Sequence, residues 1–347
     1  MENYKYIIRN LVSTFRKDSG LFISLIVIFP LILYRFQNGI IQQDDYIGYA
    51  KNLSSGLKDL SYFDSRLFPG LPILIYIFEK LSRNFHLAGY SLVILSFLGS
   101  YYLLNKITKS GSNVLPLVFP PIMLGIATLI ASEYLTIFLI LLTSYLFLNR
   151  SYSLAAFTSG INILFRPAGS LLFIAMIVAL YFHSRKDLKI KYFIYFSMPI
   201  SFLMLYNKIF FNNLSPFYQL ITYKNVSPYG NAIGFIGVLK DLVRAYKWHQ
   251  YDILISGMFY LTFFSCYLQV VLEKYKKRKD TNTLFLILSI LFYSFFVMSY
   301  SFMPYLENFA RYLAPTIPLF WILENKSFSK NVYIYLRLVL SLLVVVY

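Results

Sequence analysis

The chain has 347 residues, of which 58% are hydrophobic, 20% are aromatic and only 14% are charged. A soluble domain carries about 25% charged residues, and a soluble core could not bury so much apolar surface, so the composition argues against a soluble protein. The formal net charge of +17 would suggest nucleic acid as the partner of a soluble protein, but in a membrane protein it reflects basic residues concentrated in cytoplasmic loops.

Apolar residues come in blocks close to the length that an α-helix needs to cross a bilayer, about 20 residues. Alternation of period two is absent, which argues against a β-barrel. The blocks predict about eleven spans, near residues 20–36, 87–104, 114–131, 134–148, 153–165, 168–183, 192–210, 253–272, 281–302, 312–323 and 331–347.

The orientation of these spans follows from the basic residues between them, which favour the cytoplasmic side. The N-terminus, the connections around Lys106, Arg150 and Lys186, and the dense basic segment EKYKKRKD all fall inside. The two large connections, 37–86 and 211–250, then lie outside. Residues 68–81 are too few for a span and predict an outer helix at the membrane surface.

The sequence therefore predicts an all-α, polytopic transmembrane bundle with a large first outer loop that carries juxtamembrane helices. It shows no internal repeat and no boundary of a soluble domain, so we expect residues 1–347 to form one membrane domain. The lone cysteine, Cys266, excludes a disulfide framework and a Cys-rich metal site.

Acidic residues at the predicted outer ends of spans are the first candidates for chemistry. Asp44 and Asp45 open the first outer loop, where acids are costly unless they are solvated, paired or used. Adjacent residues do not share a helix face, so one of them could act in a cleft while the other caps the helix; the alternative is that both only cap it. Glu133, at an outer turn with few polar neighbours, is either a site residue or a capping or snorkelling acid.

Three arginines are expected on the same outer face. Arg166 precedes Pro167 and could bind a phosphate through two hydrogen bonds, or simply reach water from a helix end. Arg311 could form an intrahelical ion pair with Glu307, one turn earlier. Together with Arg66, these arginines and the outer acids suggest an acid or base beside an anion-binding surface, which fits a phosphate leaving group.

Four segments, in order, resemble the integral-membrane glycosyltransferases of the GT-C superfamily, and the resemblance extends over nearly the whole chain. DDYIGYAKNL, which includes Tyr49, is similar to the start of the family's first outer loop, and RLFPGLPILI to its juxtamembrane helix. The stretch from SEYLTIF to FRPAGSLL is similar to the family's acid-to-Arg-Pro region, and ENFARYLAPTIPLF to its late Arg-x-Leu-x-Pro segment.

The resemblance implies a hexosyltransferase that takes a sugar from a polyprenyl-phosphate donor, and a mannose-like sugar is the first candidate. A first-loop aspartate, Asp44 before Asp45, would be the base in an inverting transfer, and Arg311, Arg166 and Arg66 would hold the donor phosphate. Some members bind a divalent cation, for which Asp44, Asp45 and Glu133 are the oxygen ligands present; no metal site is predicted outright.

The expected partners are the lipid-linked donor, membrane lipids and a lipid, glycan or protein acceptor, and nucleic acid is not expected. For the acceptor, Lys224, Arg244, Lys247 and Trp248 in the second outer loop are candidates. We expect the chain in the cell membrane with its site on the extracytoplasmic face. The alternatives are a transporter or lipid flippase, whose charges should line the bilayer midplane, and an outer-face glycan polymerase or ligase.

Overall fold

The computed structural model describes residues 19–37, 44–56, 67–108, 117, 121–226, 236–250, 254, 273, 275–276, 280–298 and 311–324. Within these residues the chain forms helices and no strand, which confirms the prediction of an all-α protein. The predicted spans at 253–272 and 331–347, and the residues Arg66, Cys266 and Glu307, lie wholly or largely outside the described part.

The first group of helices covers the segment predicted to be the first outer loop and the helices on either side of it. The helix bounds are α1 (Ser19–Gln37), α2 (Asp44–Ser54), α3 (Gly70–Ser82), α4 (Phe85–Thr108) and α5 (Pro121–Ala127). Helix α3 matches the predicted short helix at 68–81, and it ends at Arg83, whose left-handed backbone (φ 54) terminates it.

The second group runs from the middle of the chain to its last described residues. Its helices are α6 (Ser132–Leu148), α7 (Tyr152–Ile161), α8 (Pro167–Ser170), α9 (Leu172–His183), α10 (Lys191–Phe211), α11 (Tyr218–Val226), α12 (Ile236–Lys247), α13 (Thr281–Met298) and α14 (Ile317–Glu324). Short 3-10 helices lie at Asn162–Leu164, Arg185–Asp187 and Ala314–Thr316.

Two of the described helices, Phe85–Thr108 and Lys191–Phe211, are long and apolar enough to cross a membrane. Four more apolar helices are shorter: Ser24–Arg35, Ser132–Leu148, Pro167–His183 and Thr281–Val297. The count of about eleven spans therefore stays a prediction.

Four of the predicted spans are not continuous α-helices in the described residues. The segment 153–165 ends in the 3-10 helix Asn162–Leu164, and the segment 168–183 is broken at Leu171 between α8 and α9. The segment 114–131 contains α5, which ends at Ala127 in a turn before α6 begins. The segment 312–323 is interrupted by the 3-10 helix Ala314–Thr316, which contains Pro315. Proline lacks an amide hydrogen and clashes with the preceding turn of an α-helix, so a 3-10 turn at this point has a local cause.

Helix α6 lies at the centre of the packing. It packs against α4 and α7, and it contributes residues to both apolar clusters of the described chain, among them Tyr134 to one and Phe147 to the other. Every side chain from Ser132 to Ile137 is buried. The first turn of α6 is therefore an interior position, although the sequence marks it only as a turn between spans.

Candidate functional site

Glu133, in the first turn of α6, holds two arginines from distant parts of the chain. Its side chain is fully buried, and its Oε1 accepts hydrogen bonds from Arg166 Nη2 at 2.5 Å and from Arg311 Nε. The expectation that Glu133 has few polar neighbours is therefore wrong, and so is the alternative of a snorkelling acid. The N-cap position of α6 is Ala131, which makes no side-chain capping hydrogen bond.

Arg166 reaches Glu133 because the chain is extended just before a proline. The ring of Pro167 disfavours helical backbone at the preceding residue, and Arg166 has φ −149 and ψ 118. This extended residue separates the 3-10 helix Asn162–Leu164 from α8. Its Nε donates to Ser132 Oγ at 3.0 Å, so Arg166 contacts two neighbouring residues of α6 and does not extend into water.

Arg311 comes from the C-terminal part of the chain. The 3-10 helix Ala314–Thr316 that follows it packs against α6. Arg311 forms an ion pair with Glu133, 178 positions away in sequence; Glu307, the partner suggested by the sequence, lies outside the described residues. Only 15% of each arginine side chain is exposed.

Tyr312 adds an aromatic face to this cluster. The guanidinium carbon of Arg166 lies 4.5 Å from the centre of the Tyr312 ring, and that of Arg311 lies 5.9 Å from it. A cation near an aromatic face is stabilised by the ring quadrupole. Tyr312 therefore helps two like charges to lie close together in a buried place.

The carboxylate of Glu133 is used unevenly in this cluster. Both guanidinium groups contact the same carboxylate oxygen, Oε1. The second carboxylate oxygen, Glu133 Oε2, and the hydroxyl of Thr136, one turn further along α6, are buried and have no hydrogen-bond partner within the described chain. Buried polar groups are normally paired, so these two atoms can take a hydrogen bond from a polar ligand, while the guanidinium groups beside them can hold an anionic group.

Helix α2, which begins with the aspartate pair, lies beside the cluster. The Tyr46 hydroxyl and Ser132 Oγ share a hydrogen bond of 3.3 Å, and Ser132 in turn accepts from Arg166. Burial raises the pKa of the Tyr46 hydroxyl above its ordinary value, although Arg166 partly opposes the shift, so this hydroxyl stays protonated at neutral pH.

The other site residues predicted from the sequence are not among the described contacts of Glu133. Asp45 is exposed, and Asp44 starts α2 but its side chain is outside the described part, as is Arg66. Tyr49 is fully buried, and its hydroxyl bonds to that of Tyr206 on α10. The structure thus brings together Glu133, Arg166 and Arg311, and it adds residues that the sequence did not single out: Tyr46, Ser132, Thr136 and Tyr312.

A divalent cation does not fit at Glu133. Its carboxylate already faces two guanidinium groups, which would repel a cation, whereas a Mg²⁺ or Ca²⁺ site needs several oxygen ligands without such neighbours. The described residues contain no group of three or more His, Cys, Asp or Glu side chains that could hold a metal ion.

The geometry itself offers an arginine pair for an anion, and a helix carrying two acids next to it. A resemblance to a family rests only on the four short segments described above. No family model, curated protein or solved structure matches this chain.

Proposed function

We propose that this chain is a membrane-embedded glycosyltransferase that moves a hexose from a polyprenyl-phosphate donor to a lipid, glycan or protein acceptor at the extracytoplasmic face. A mannose-like sugar is the first candidate for the hexose. The observation that carries the proposal is the convergence of Arg166 and Arg311 on one buried carboxylate, with the helix of the aspartate pair beside them.

The arginine pair supports a phosphate leaving group. When the bond between the sugar and the phosphate breaks, negative charge collects on the lipid phosphate. Preorganised cations in a water-poor site stabilise such charge strongly, and guanidinium groups match the geometry of phosphate oxygens. Both guanidinium groups contact the carboxylate of Glu133, which holds them next to each other, and we propose that the donor phosphate binds at this pair.

The aspartate pair supplies the base. In an inverting transfer, one carboxylate takes the proton of the acceptor hydroxyl. The hydroxyl oxygen attacks the anomeric carbon, and the bond between that carbon and the phosphate oxygen breaks. Asp44 is the first candidate and Asp45 the second. Tyr46, the next residue of α2, contacts Ser132, so the start of this helix is close to the arginines.

The membrane location is supported by the outer surfaces of two helices. Helix α10 is long and apolar, yet most of it is exposed, and Phe202 and Ile209 are 49% and 63% exposed. Helix α1 likewise exposes Ile26 and Phe29. The core helix of a soluble protein would bury such residues, whereas lipid tails cover them without cost.

Transfer assays in reconstituted liposomes test this function. Polyprenyl-phosphate sugars are the donors and a cell-envelope extract provides acceptors, and both transfer to acceptors and release of polyprenyl phosphate are measured. We expect wild type to transfer one of the sugars and Asp44→Asn or Asp45→Asn to lose transfer by orders of magnitude while remaining folded.

The matched control is Asp187→Asn, which removes an exposed acid from the Arg185–Asp187 connection and should leave transfer unchanged. Full transfer by both first-loop variants would refute the assignment of the base. If wild type neither transfers any sugar nor releases polyprenyl phosphate, the glycosyltransferase proposal is wrong.

A further inference from the structure

Helix α12 in the second large connection has three distinct faces. Leu242 and Ala245 are buried, and the helix packs against α13. A second face is apolar but exposed, and a third is basic. At 3.6 residues per turn, the exposed apolar face lies between the buried face and the basic one.

The exposed apolar face consists of Leu239, Val243 and Tyr246, which are 50%, 55% and 64% exposed. Their spacing of four and three residues places them in one stripe along the helix. The helix is too short and too polar for a membrane span, so this stripe is not explained by a transmembrane position.

The basic face runs parallel to the apolar stripe. Lys240 and Lys247 are exposed, and Arg244 lies between them. The helix has three basic residues against one acidic residue, Asp241, and Tyr246 and Trp248 at its end are exposed aromatic residues. Tyrosine and tryptophan favour the level of the lipid headgroups.

We propose that α12 lies in the headgroup region of the bilayer, with its apolar stripe on the acyl chains and its basic stripe on anionic lipid headgroups. An apolar stripe beside a basic one is the pattern of helices that lie in the membrane interface, and each lysine near an anionic surface adds attraction. The buried face fixes this lipid-binding surface to the bundle through α13.

This surface is distinct from the arginine cluster. The proposal rests on the membrane location proposed above but not on glycosyl transfer, so the two can fail separately. It also assigns Lys247 to lipid, whereas the sequence suggested an anionic or glycan acceptor.

The position of α12 can be measured with spin labels, because the chain has a single cysteine. On a Cys266→Ser background, Val243→Cys is labelled and reconstituted in vesicles of phosphatidylcholine and phosphatidylglycerol. Collision rates with oxygen, which enters lipid, and with a nickel chelate, which stays in water, report its depth. Phe202→Cys on the exposed side of α10 is the lipid control, and Lys186→Cys in the exposed 3-10 turn is the water control.

We expect the label at 243 to resemble the label at 202, with nickel collisions severalfold rarer than at 186. If 243 behaves like 186 while 202 is in lipid, α12 lies in water and the proposal is overturned, which leaves its basic stripe to a soluble acceptor. If 202 also behaves like 186, the membrane location itself is wrong.

Charge reversal then tests the lipid class. With Lys240→Glu and Lys247→Glu combined, nickel collisions at 243 should rise severalfold in the phosphatidylglycerol vesicles. The same change at Lys186 and Lys189, both exposed, is the matched control and should leave the label at 243 unchanged. An unchanged label in the α12 double variant would overturn the role of anionic headgroups.

Discussion

At Glu133, one carboxylate oxygen is shared between two guanidinium groups while the other has no partner in the described chain. An arginine and a carboxylate frequently pair through two parallel hydrogen bonds, one to each carboxylate oxygen. The arrangement at Glu133 instead holds two arginines near one point. Glu133 is therefore best understood as a residue that positions Arg166 and Arg311.

Replacing Glu133 by glutamine should destabilise the protein and make it responsive to phosphate. Removing one partner of a buried ion pair costs about 3 kcal/mol or more, here because both guanidinium groups lose the charge of Glu133. A ligand that binds only the folded state stabilises it, so inorganic phosphate should raise the melting temperature of Glu133→Gln more than that of wild type.

Asp280→Asn is the control for this thermal-shift measurement. Asp280 accepts hydrogen bonds from the backbone and hydroxyl of Thr283 at the start of α13, so its loss is also structural, but no arginine pair is left exposed by it. Equal phosphate responses in the two variants would contradict an anion site at the arginines.

Arg166→Lys should weaken donor binding while preserving charge. A lysine cannot contact Ser132 and Glu133 at once as the guanidinium does, and it loses the planar contact with Tyr312. We expect the KM for the donor to rise about tenfold, which corresponds to one charge-assisted hydrogen bond. Arg150→Lys, at an exposed turn, should leave the KM unchanged. An unchanged KM in Arg166→Lys would mean that charge alone suffices.

At the scale of helices, the position of Arg166 depends on how closely α3 approaches the turn that precedes Arg166. Gly70 starts α3, and a Cβ added there would lie 2.7 Å from the backbone oxygen of Leu164 and 2.9 Å from its carbonyl carbon. A backbone group cannot rotate away as a side chain can. The first turn of α3 is thus in direct contact with the segment that presents Arg166.

Gly70→Ala should therefore separate α3 from this segment. Overpacking of this kind costs about 1–3 kcal/mol, and we expect transfer to fall with it. Gly48→Ala is the matched control on α2, since a Cβ there meets nothing within 4 Å; alanine in a helix should be neutral or stabilise by about 0.5–1 kcal/mol. Unfolding in detergent measures both variants, and equal stabilities would show that the close approach does not matter.

Apolar blocks predicted the long helices well but not the breaks or the pairing at the site. The blocks at 20–36 and 192–210 correspond to Ser19–Gln37 and Lys191–Phe211 within one residue at each end, because a helix of this kind is marked by its own local composition. The turn after Ala127 and the 3-10 turn at Pro315 interrupt apolar sequence, so hydropathy did not reveal them.

The site shows the same limit. Glu133, Arg166 and Arg311 could be named as outer-face residues from local context, but the contact between Glu133 and Arg311 joins residues 178 positions apart. Such a contact depends on how the ends of α6, α8 and the 3-10 helix Ala314–Thr316 pack. Ser132 and Tyr46 carry no signal in one sequence that would mark them as neighbours of an arginine.

At the scale of the whole molecule, 32 basic residues stand against 15 acidic ones. Most of the basic clusters lie in connections predicted to be cytoplasmic, so the predicted orientation would account for the excess of positive charge. In the same predicted topology the aspartate pair, the second large connection and the arginine cluster lie on one side of the membrane, and the proposed reaction depends on this arrangement.

Sidedness can be tested with cysteine labels in intact cells. On the Cys266→Ser background, Leu214→Cys lies just beyond α10 and Lys186→Cys lies before it, and both positions are exposed. A membrane-impermeant maleimide should label position 214 in intact cells and position 186 only after permeabilisation, because α10 is predicted to cross the bilayer between them. Labelling of 186 alone would invert the orientation and put the aspartate pair inside, and labelling of both in intact cells would mean that α10 does not span the membrane.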